Sequence, residues 1–189
     1  MGLARGCFEI VAKPDLRSAD DARAYVSELR SILLATGASD AKMEEGSLRV
    51  DANVSIHHPG EPYGTRCEIK NLNSLRSLGR AIEYEARRQI GMIEAGEAVR
   101  QETRHWNEDD GRTHTLRVKE EADDYRYFPE PDLVPLDPGA DWIGRVGAAL
   151  PALPAQRRAR LADAAGLTAT GGAVAIAVER GLDTLALEA

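Results

Sequence analysis

The stretch from Leu48 to Ser74 constrains the fold of this chain more than any other part of its sequence. Apolar and polar residues alternate strictly from Leu48 to Ile56, and the alternation resumes from Arg66 to Lys70 after the loop HHPGEPYG. A period of two is typical of a strand with one buried face, and a loop rich in glycine and proline between two such strands favours an antiparallel hairpin. The pattern therefore predicts a hairpin with one apolar face and one polar face.

The polar face of this hairpin is the first candidate for a functional surface. Strands hold side chains more rigidly than loops do, so such a surface suits a metal or phosphate site. The alternation also fits a sheet face that simply meets water. If the polar sides of the two strands coincide, they collect Arg49, Asp51, Asn53, Glu68 and Lys70.

Two helices are predicted to flank the hairpin. Ser18 is a favourable N-cap and Gly37 a favourable stop for the first helix. Asn73 or Ser74 caps the second helix, which is predicted to run to about Glu94. The start of a helix presents free backbone N–H groups and a partial positive charge, so a seat for an anion or phosphate is expected there. The inward positions of the second helix are expected to be Leu75, Leu78, Ile82 and Ile93.

Further strand signals lie outside the central hairpin. Residues 7–12 are typical of a short strand, with Glu9 between two apolar neighbours. A carboxylate is costly to bury unless it is paired or bound to a cation, so Glu9 is a candidate ligand, with a solvent-facing edge position as the alternative. Residues 99–106 and 112–119 alternate around NEDDG and predict a second hairpin.

Composition indicates a folded chain that changes character near residue 141. The 189 residues are 43% hydrophobic and 29% charged, which is typical of a globular protein. The net charge of −7 argues against coating nucleic acid through bulk charge. Two cysteines make no disulfide framework, and no apolar run is long enough to cross a bilayer, so a cytoplasmic protein without a membrane partner is expected. Residues 120–136 predict an ordered loop, and residues 141–189 predict helices.

The residue types of the central hairpin fit two kinds of chemistry. Oxygens of Glu9, Asp51 and Glu68 on separate strands suit Mg²⁺, and with Lys70, Arg49 and a helix N-terminus they fit phosphoryl transfer. The order Asp51, then Glu68-Ile69-Lys70, also fits the short D…(D/E)xK pattern of metal-dependent nucleases. A third alternative is an RNA-binding or assembly module whose acidic residues have structural roles.

Four longer segments carry a resemblance to a known family, namely EIVAKPDLRSADDARAYVSELRSIL, SDAKMEEGSLRVDANVSI, GTRCEIKNLNS and RVKEEADDYRYFPEPDLVPL. Together they resemble the B subunit of the aspartyl/glutamyl-tRNA(Asn/Gln) amidotransferase, from about Phe8 to Leu136 and more weakly beyond. KMEEGSLRVDAN and DDYRYFPEPD are long strings, so they are specific to the family.

The resemblance implies a fold, a reaction and partners. The expected fold is α+β: residues 1–140 form part of a glutamine synthetase-like cradle domain, with an antiparallel sheet and flanking helices, and residues 141–189 begin a helical domain. The expected reaction uses ATP and Mg²⁺ to phosphorylate the side-chain carboxylate of misacylated Glu-tRNA(Gln) or Asp-tRNA(Asn), which is then amidated with ammonia from glutamine. The expected partners are the A subunit (the amidase), the small C subunit of the same complex and misacylated tRNA, and not DNA.

The resemblance also assigns residues. It implies that Glu9, Asp51 and Glu68 are the Mg²⁺ ligands. It gives Lys70 and Arg49 no role beyond lining the site, and these two are expected to be the catalytic residues because their residue types fit phosphoryl transfer. Because the family's cradle domain starts earlier and ends in a tail domain that contacts tRNA, the chain is expected to be a central fragment. The remaining residues expected to line the site are Glu44, Glu45, Asn53, Asn71 and Asn73.

Overall fold

The computed structural model describes residues 8–118 and 137–188. The order of its elements confirms both predicted helices and both predicted hairpins, and shows further helices after residue 137. The elements are α1 (Ala19–Thr36), β1 (Val50–Val54), β2 (Cys67–Leu72), α2 (Leu75–Glu94), β3 (Glu102–Asn107), β4 (Arg112–Val118), α3 (Gly139–Ala149), α4 (Pro154–Ala165), α5 (Gly172–Glu179) and α6 (Asp183–Glu188).

The four strands form one mixed sheet in the order β1-β2-β3-β4. Strands β1 and β2 are antiparallel, as are β3 and β4, whereas β2 and β3 are parallel. The expectation of an antiparallel sheet is therefore wrong for the central pair. The physical reason is helix α2, which lies between β2 and β3 in the chain and returns it to the end of the sheet where β2 began.

One face of the sheet packs against α1 and α2 to form the core. Ile69 and Trp106 from the sheet meet Leu78 and Ala81 from α2, and all four are almost fully buried. Since side chains alternate along a strand, residues next to these in sequence point to the opposite face. The predicted division of the hairpin into an apolar and a polar face is confirmed.

The helix caps are those expected from the sequence. The Oγ atoms of Ser18 and Ser74 each accept a hydrogen bond at 3.0 Å from a backbone N–H of the first turn, and Gly37 ends α1 with a φ of 69°.

The inward position predicted for Ile93 is wrong, because its exposed fraction is 45%. A helix of 20 residues is about 30 Å long, whereas a strand of six spans about 20 Å, so its last turn extends past the sheet.

The strand predicted over residues 7–12 is also wrong for its described part. Residues 8–12 form no strand, and Phe8 and Val11 are largely exposed. A single extended segment gains strand geometry only by pairing with a neighbour, which local sequence does not reveal. The loop predicted over residues 120–136 lies outside the described residues.

A buried charge network joins α2 to the helix-facing side of the sheet. The fully buried Glu85 accepts hydrogen bonds at 2.7 Å from Nη2 of Arg88 and at 2.8 Å from Nε2 of Gln89. Its other oxygen accepts from Oγ1 of Thr113 at 3.0 Å and lies 3.2 Å from Nε of Arg104. A buried carboxylate this well paired links the helix to β3 and β4.

The segment after residue 137 forms a small helical cluster. Leu161, Val174 and Val178 are buried between α4 and α5, and Nε of Arg157 donates to Oδ2 of Asp183 at 2.8 Å. The partition at residues 140 and 141 stays a prediction. In the two described ranges, no helix combines the length and apolarity needed to cross a membrane.

Candidate active site

Four charged side chains meet on the open face of the sheet, and we call them the four-charge cluster: Arg49, Asp51, Glu68 and Lys70. The Nζ atom of Lys70 lies 3.1 Å from Oδ2 of Asp51 and 3.2 Å from Oε1 of Glu68. Arg49 binds Asp51 through two atoms, with Nε 3.2 Å from Oδ1 and Nη2 2.9 Å from Oδ2. Two positive and two negative groups thus balance, each within hydrogen-bond distance of at least one opposite charge.

The register of β1 and β2 brings these groups together. Asn53 pairs with Glu68 and Ala52 with Ile69, and the register shifts between Val50 and Ala52. The residue within this irregularity is Asp51. Bulges re-aim side chains and are frequent beside active sites, so this local departure from ideal pairing accompanies the contact of Asp51 with Lys70.

The cluster is partly shielded from water, which affects its electrostatics. The exposed fraction of the side chain is 26% for Asp51 and 18% for Glu68. Partial burial alone lowers the pKa of Lys70, but the hydrogen bonds and negative charges of Asp51 and Glu68 outweigh it, so the pKa is raised above its ordinary value. The hydrogen bond to Asp51 likewise raises the pKa of Arg49. Both cations therefore stay charged at neutral pH.

Thr103 on β3 joins the cluster, although sequence reasoning did not identify it. Its Oγ1 donates a hydrogen bond to Oε2 of Glu68 at 3.0 Å. The parallel pairing of Glu68 with Thr103 causes this contact. An antiparallel arrangement was expected, so no signal in the sequence placed the two residues side by side.

Asn71 and Asn73, both predicted to line the site, lie just beyond Lys70 at the end of β2. Asn71 has a left-handed backbone with φ 68°. The Nδ2 atom of Asn71 donates to the carbonyl oxygen of Trp106 at 3.0 Å and lies 3.3 Å from Nε2 of His105. The Nδ2 atom of Asn73 donates to Oδ1 of Asn71 at 3.3 Å. These bonds tie β2 to β3 next to the cluster and bring His105, which pairs with Lys70, to its edge.

Three other predicted residues lie elsewhere. Glu9 is on an exposed segment that is not part of the sheet. Glu44 is exposed in the turn before β1, and in the same turn Glu45 forms an ion pair with Nζ of Lys42 at 2.8 Å. Over residues 8–118 and 137–188, no three Asp, Glu, His or Cys side chains converge in a group suited to a metal. The ligand role of Glu9 stays a prediction.

The start of α2, expected to receive an anion, has a carboxylate of the chain itself beside it. Oε2 of Glu108 accepts from Oγ of Ser77 at 2.8 Å and from Nε1 of Trp106 at 2.6 Å, and its Oε1 lies 2.6 Å from Nη1 of Arg80. The hydrogen bonds from Trp106 and Ser77 lower the pKa of Glu108. The anion seat stays a prediction, and Glu108 is a neighbour that sequence reasoning missed.

The cluster can be tested for its fit to a divalent cation. Lys70 is a cation that already lies between one oxygen of Asp51 and one of Glu68, so the two carboxylates converge on a single positive point. Carboxylate oxygens are the ligands that Mg²⁺ prefers, and Mg²⁺ commonly uses only one or two of them, with water and substrate phosphate completing its shell. Asp51 and Glu68 thus fit a magnesium site.

Comparison with known proteins decides the family. The family model of the GatB/GatE catalytic domain matches residues 3–144. The chain belongs to this family. It is 54% identical over 176 residues to the B subunit of the aspartyl/glutamyl-tRNA(Asn/Gln) amidotransferase of Rhodopseudomonas palustris strain HaA2, covering 93% of this chain and 36% of that protein. It is 55% identical over 170 residues to the corresponding B subunit of Beijerinckia indica, covering 90% of this chain and 34% of that protein.

These matches to the GatB/GatE family confirm the resemblance found in the sequence. The chain spans about a third of the length of the two relatives it matches. Membership makes the chain part of a tRNA amidotransferase family with an α+β catalytic domain. The nuclease alternative gains no support from these comparisons.

Proposed function

We propose that this chain carries the Mg²⁺- and ATP-dependent step of a glutamine-dependent tRNA amidotransferase, a carbon–nitrogen ligase of protein biosynthesis. The observation that carries the proposal is the position of Lys70 between Asp51 and Glu68 on the open sheet face. Family membership and the similarity to the B subunit of a tRNA amidotransferase support the same reaction. The substrates proposed are Glu-tRNA(Gln), Asp-tRNA(Asn) or both.

The chemical problem is that a carboxylate does not accept ammonia. In the proposed reaction, an oxygen of the substrate's side-chain carboxylate attacks the γ-phosphorus of ATP, and the bond from that phosphorus to ADP breaks. Ammonia then attacks the acyl carbon, phosphate leaves, and a proton is lost to give the amide. Catalysis of phosphoryl transfer depends mainly on positioning and charge neutralisation, which fixed cations on a sheet supply.

The residues of the four-charge cluster divide this work. Asp51 and Glu68 would hold Mg²⁺, which neutralises phosphate charge when it is bound. Lys70 and Arg49 are fixed cations beside them and are placed to bind phosphate oxygens once the metal takes over their carboxylates. Asn71 and Asn73 rigidify the end of β2, which keeps Lys70 in position.

The proposed partners follow from the same reaction. Ammonia must be generated from glutamine and protected from water, which calls for the amidase (the A subunit) and the small C subunit in one heterotrimer. Misacylated tRNA is the proposed substrate, and the proposed location is the cytoplasm. The two relatives described above are B subunits of such an amidotransferase.

The first experiment measures Mg²⁺ binding to the purified chain by calorimetric titration. We expect binding in the parent, and we expect Asp51→Asn and Glu68→Gln each to abolish it, because each removes a negative ligand. Asp109→Asn, at an exposed position in the turn between β3 and β4, is the matched control and should bind as the parent does. A folded parent that binds no Mg²⁺ would contradict the proposed metal site.

The second experiment measures ATP consumption with the amidase and small subunits present. We expect ADP to form only when misacylated tRNA is added, and we expect Asp51→Asn to abolish this ADP formation while Asp109→Asn retains it. ADP formation that ignores misacylated tRNA would contradict the proposal. Cleavage of RNA or DNA without ATP would favour the nuclease alternative instead.

A further inference from the structure

Glu68 has a donor on each of its two carboxylate oxygens, and the two donors differ in kind. Oε1 faces the ammonium of Lys70 at 3.2 Å, and Oε2 accepts from the hydroxyl of Thr103 at 3.0 Å. Lys70 also contacts Asp51, so its contact with Glu68 changes when a metal binds between the two carboxylates. The second donor comes from the neighbouring strand β3.

Thr103 is well suited to fix the rotation of this carboxylate. Its exposed fraction is 1%, and a β-branched side chain in a strand has little freedom about its first torsion. Its backbone pairs directly with that of Glu68 in the parallel ladder. A hydroxyl held in this way donates to one oxygen and leaves the other directed at Lys70 and Asp51.

We propose that Thr103 is a positioning residue that orients Glu68 for Mg²⁺. This inference rests on the proposed function, because it takes Asp51 and Glu68 as the metal ligands. Partners that orient ligand side chains contribute about 10- to 100-fold to metal affinity in other sites. Without the hydroxyl, the Glu68 carboxylate loses one of the contacts that fix its rotation and meets the cation in a productive orientation for a smaller part of the time.

The test measures the dissociation constant for Mg²⁺ by calorimetry on the full chain and its variants. Thr103→Val keeps the shape and removes the hydroxyl, and we expect the dissociation constant to rise about tenfold. Thr103→Ser keeps the hydroxyl, and we expect affinity within about twofold of the parent. Thermal melting of each variant shows whether the fold is retained.

Thr115→Val, on the neighbouring strand β4, is the matched control. Oγ1 of Thr115 also donates to a carboxylate, that of Glu102 at 2.9 Å, so this variant loses a similar bond away from the cluster. We expect its Mg²⁺ affinity to equal that of the parent. A general effect of weakening the sheet would instead lower the affinity of both valine variants.

The outcomes separate this inference from the proposed function. Binding in the parent that Asp51→Asn and Glu68→Gln abolish, but that Thr103→Val leaves unchanged, would overturn the role of Thr103 alone. Equal losses in Thr103→Val and Thr103→Ser would also overturn it, because serine retains the donor. A folded parent that binds no Mg²⁺ would overturn the metal site and the role of Thr103 together.

Discussion

The Nζ atom of Lys70 lies 3.1 Å from Oδ2 of Asp51 on the neighbouring strand. Lys70 is therefore a cation in the place where two carboxylates would also hold a metal, since it contacts Glu68 as well. Arg49, whose Nη2 contacts the same oxygen of Asp51 at 2.9 Å, completes the charge balance. A divalent ion entering this cluster must compete with Lys70 or displace it.

Replacing Lys70 therefore tests this competition. In Lys70→Met, the loss of one positive charge is expected to tighten Mg²⁺ binding about threefold to tenfold without nucleotide. The reason is that Mg²⁺ then no longer competes with the lysine ammonium for the same carboxylate oxygens. ATP consumption by the assembled complex is expected to fall, because a phosphate-binding cation is lost. The measurements are calorimetric titration and ADP release.

Lys42→Met is the control for this substitution. Lys42 pairs with Glu45 in the turn before β1, so its removal changes the total charge equally without touching the cluster. We expect unchanged Mg²⁺ affinity in this variant. Weaker binding in Lys70→Met than in Lys42→Met would show that Lys70 assists the metal rather than competing with it.

The buried network around Glu85 is predicted to dominate the stability of the sheet–helix layer. Glu85→Gln keeps the shape but removes one of the two carboxylates that Arg88 and Arg104 share, leaving them only Glu102, and a broken buried pair typically costs about 3–5 kcal/mol. Urea unfolding measures this loss. The control is Glu83→Gln, an exposed position on the same helix, for which we expect a change within about 0.5 kcal/mol. Equal stability of the two variants would contradict a structural role for the network.

The same network predicts a pH dependence. Desolvation raises the pKa of Glu85, but hydrogen bonds from Arg88 and Gln89 and the charges of Arg88 and Arg104 outweigh it, so the pKa lies below its ordinary 4.5. A carboxyl with a depressed folded-state pKa contributes stability above its unfolded pKa and loses it as the pH falls through the folded value.

Comparing the parent with Glu85→Gln isolates this contribution. The difference in their free energies of unfolding is expected to have its largest value near pH 7 and to shrink as the pH falls below 4.5. Urea denaturation at several pH values measures it. A difference that grows on acidification would mean that Glu85 is protonated in the folded state at neutral pH.

Cys67 is predicted to be an unreactive thiol. It is fully buried in β2, and desolvation together with the charge of Glu85 raises its pKa to about 11, against the lowering effect of Arg88. Because the thiolate is the reactive form, only about one molecule in a thousand is reactive at pH 8, against about a quarter for an ordinary thiol.

A thiol-labelling assay at pH 8 checks this, with Cys7→Ser removing the other cysteine. We expect labelling of Cys67 at least about 100-fold slower in the folded chain than in urea. Similar rates in both conditions would mean that β2 opens readily and that the core over Cys67 is loose.

The sequence by itself determined much of the local structure and the family. The period of two from Leu48 to Ile56 predicted the strand and its buried face, because that pattern depends only on the strand's geometry. Ser18, Gly37 and Ser74 predicted helix ends, because capping is a local interaction. Asp51, Glu68 and Lys70 were expected on one surface, and the structure brings them together.

Only the tertiary structure decided which strands are neighbours and which groups share a buried space. The parallel pairing of β2 with β3 placed Thr103 beside Glu68 across 35 positions in the sequence. The packing of α2 on the sheet placed Glu85 against Arg104. Long-range contacts of this kind depend on the direction in which α2 returns the chain, and no local pattern encodes that direction.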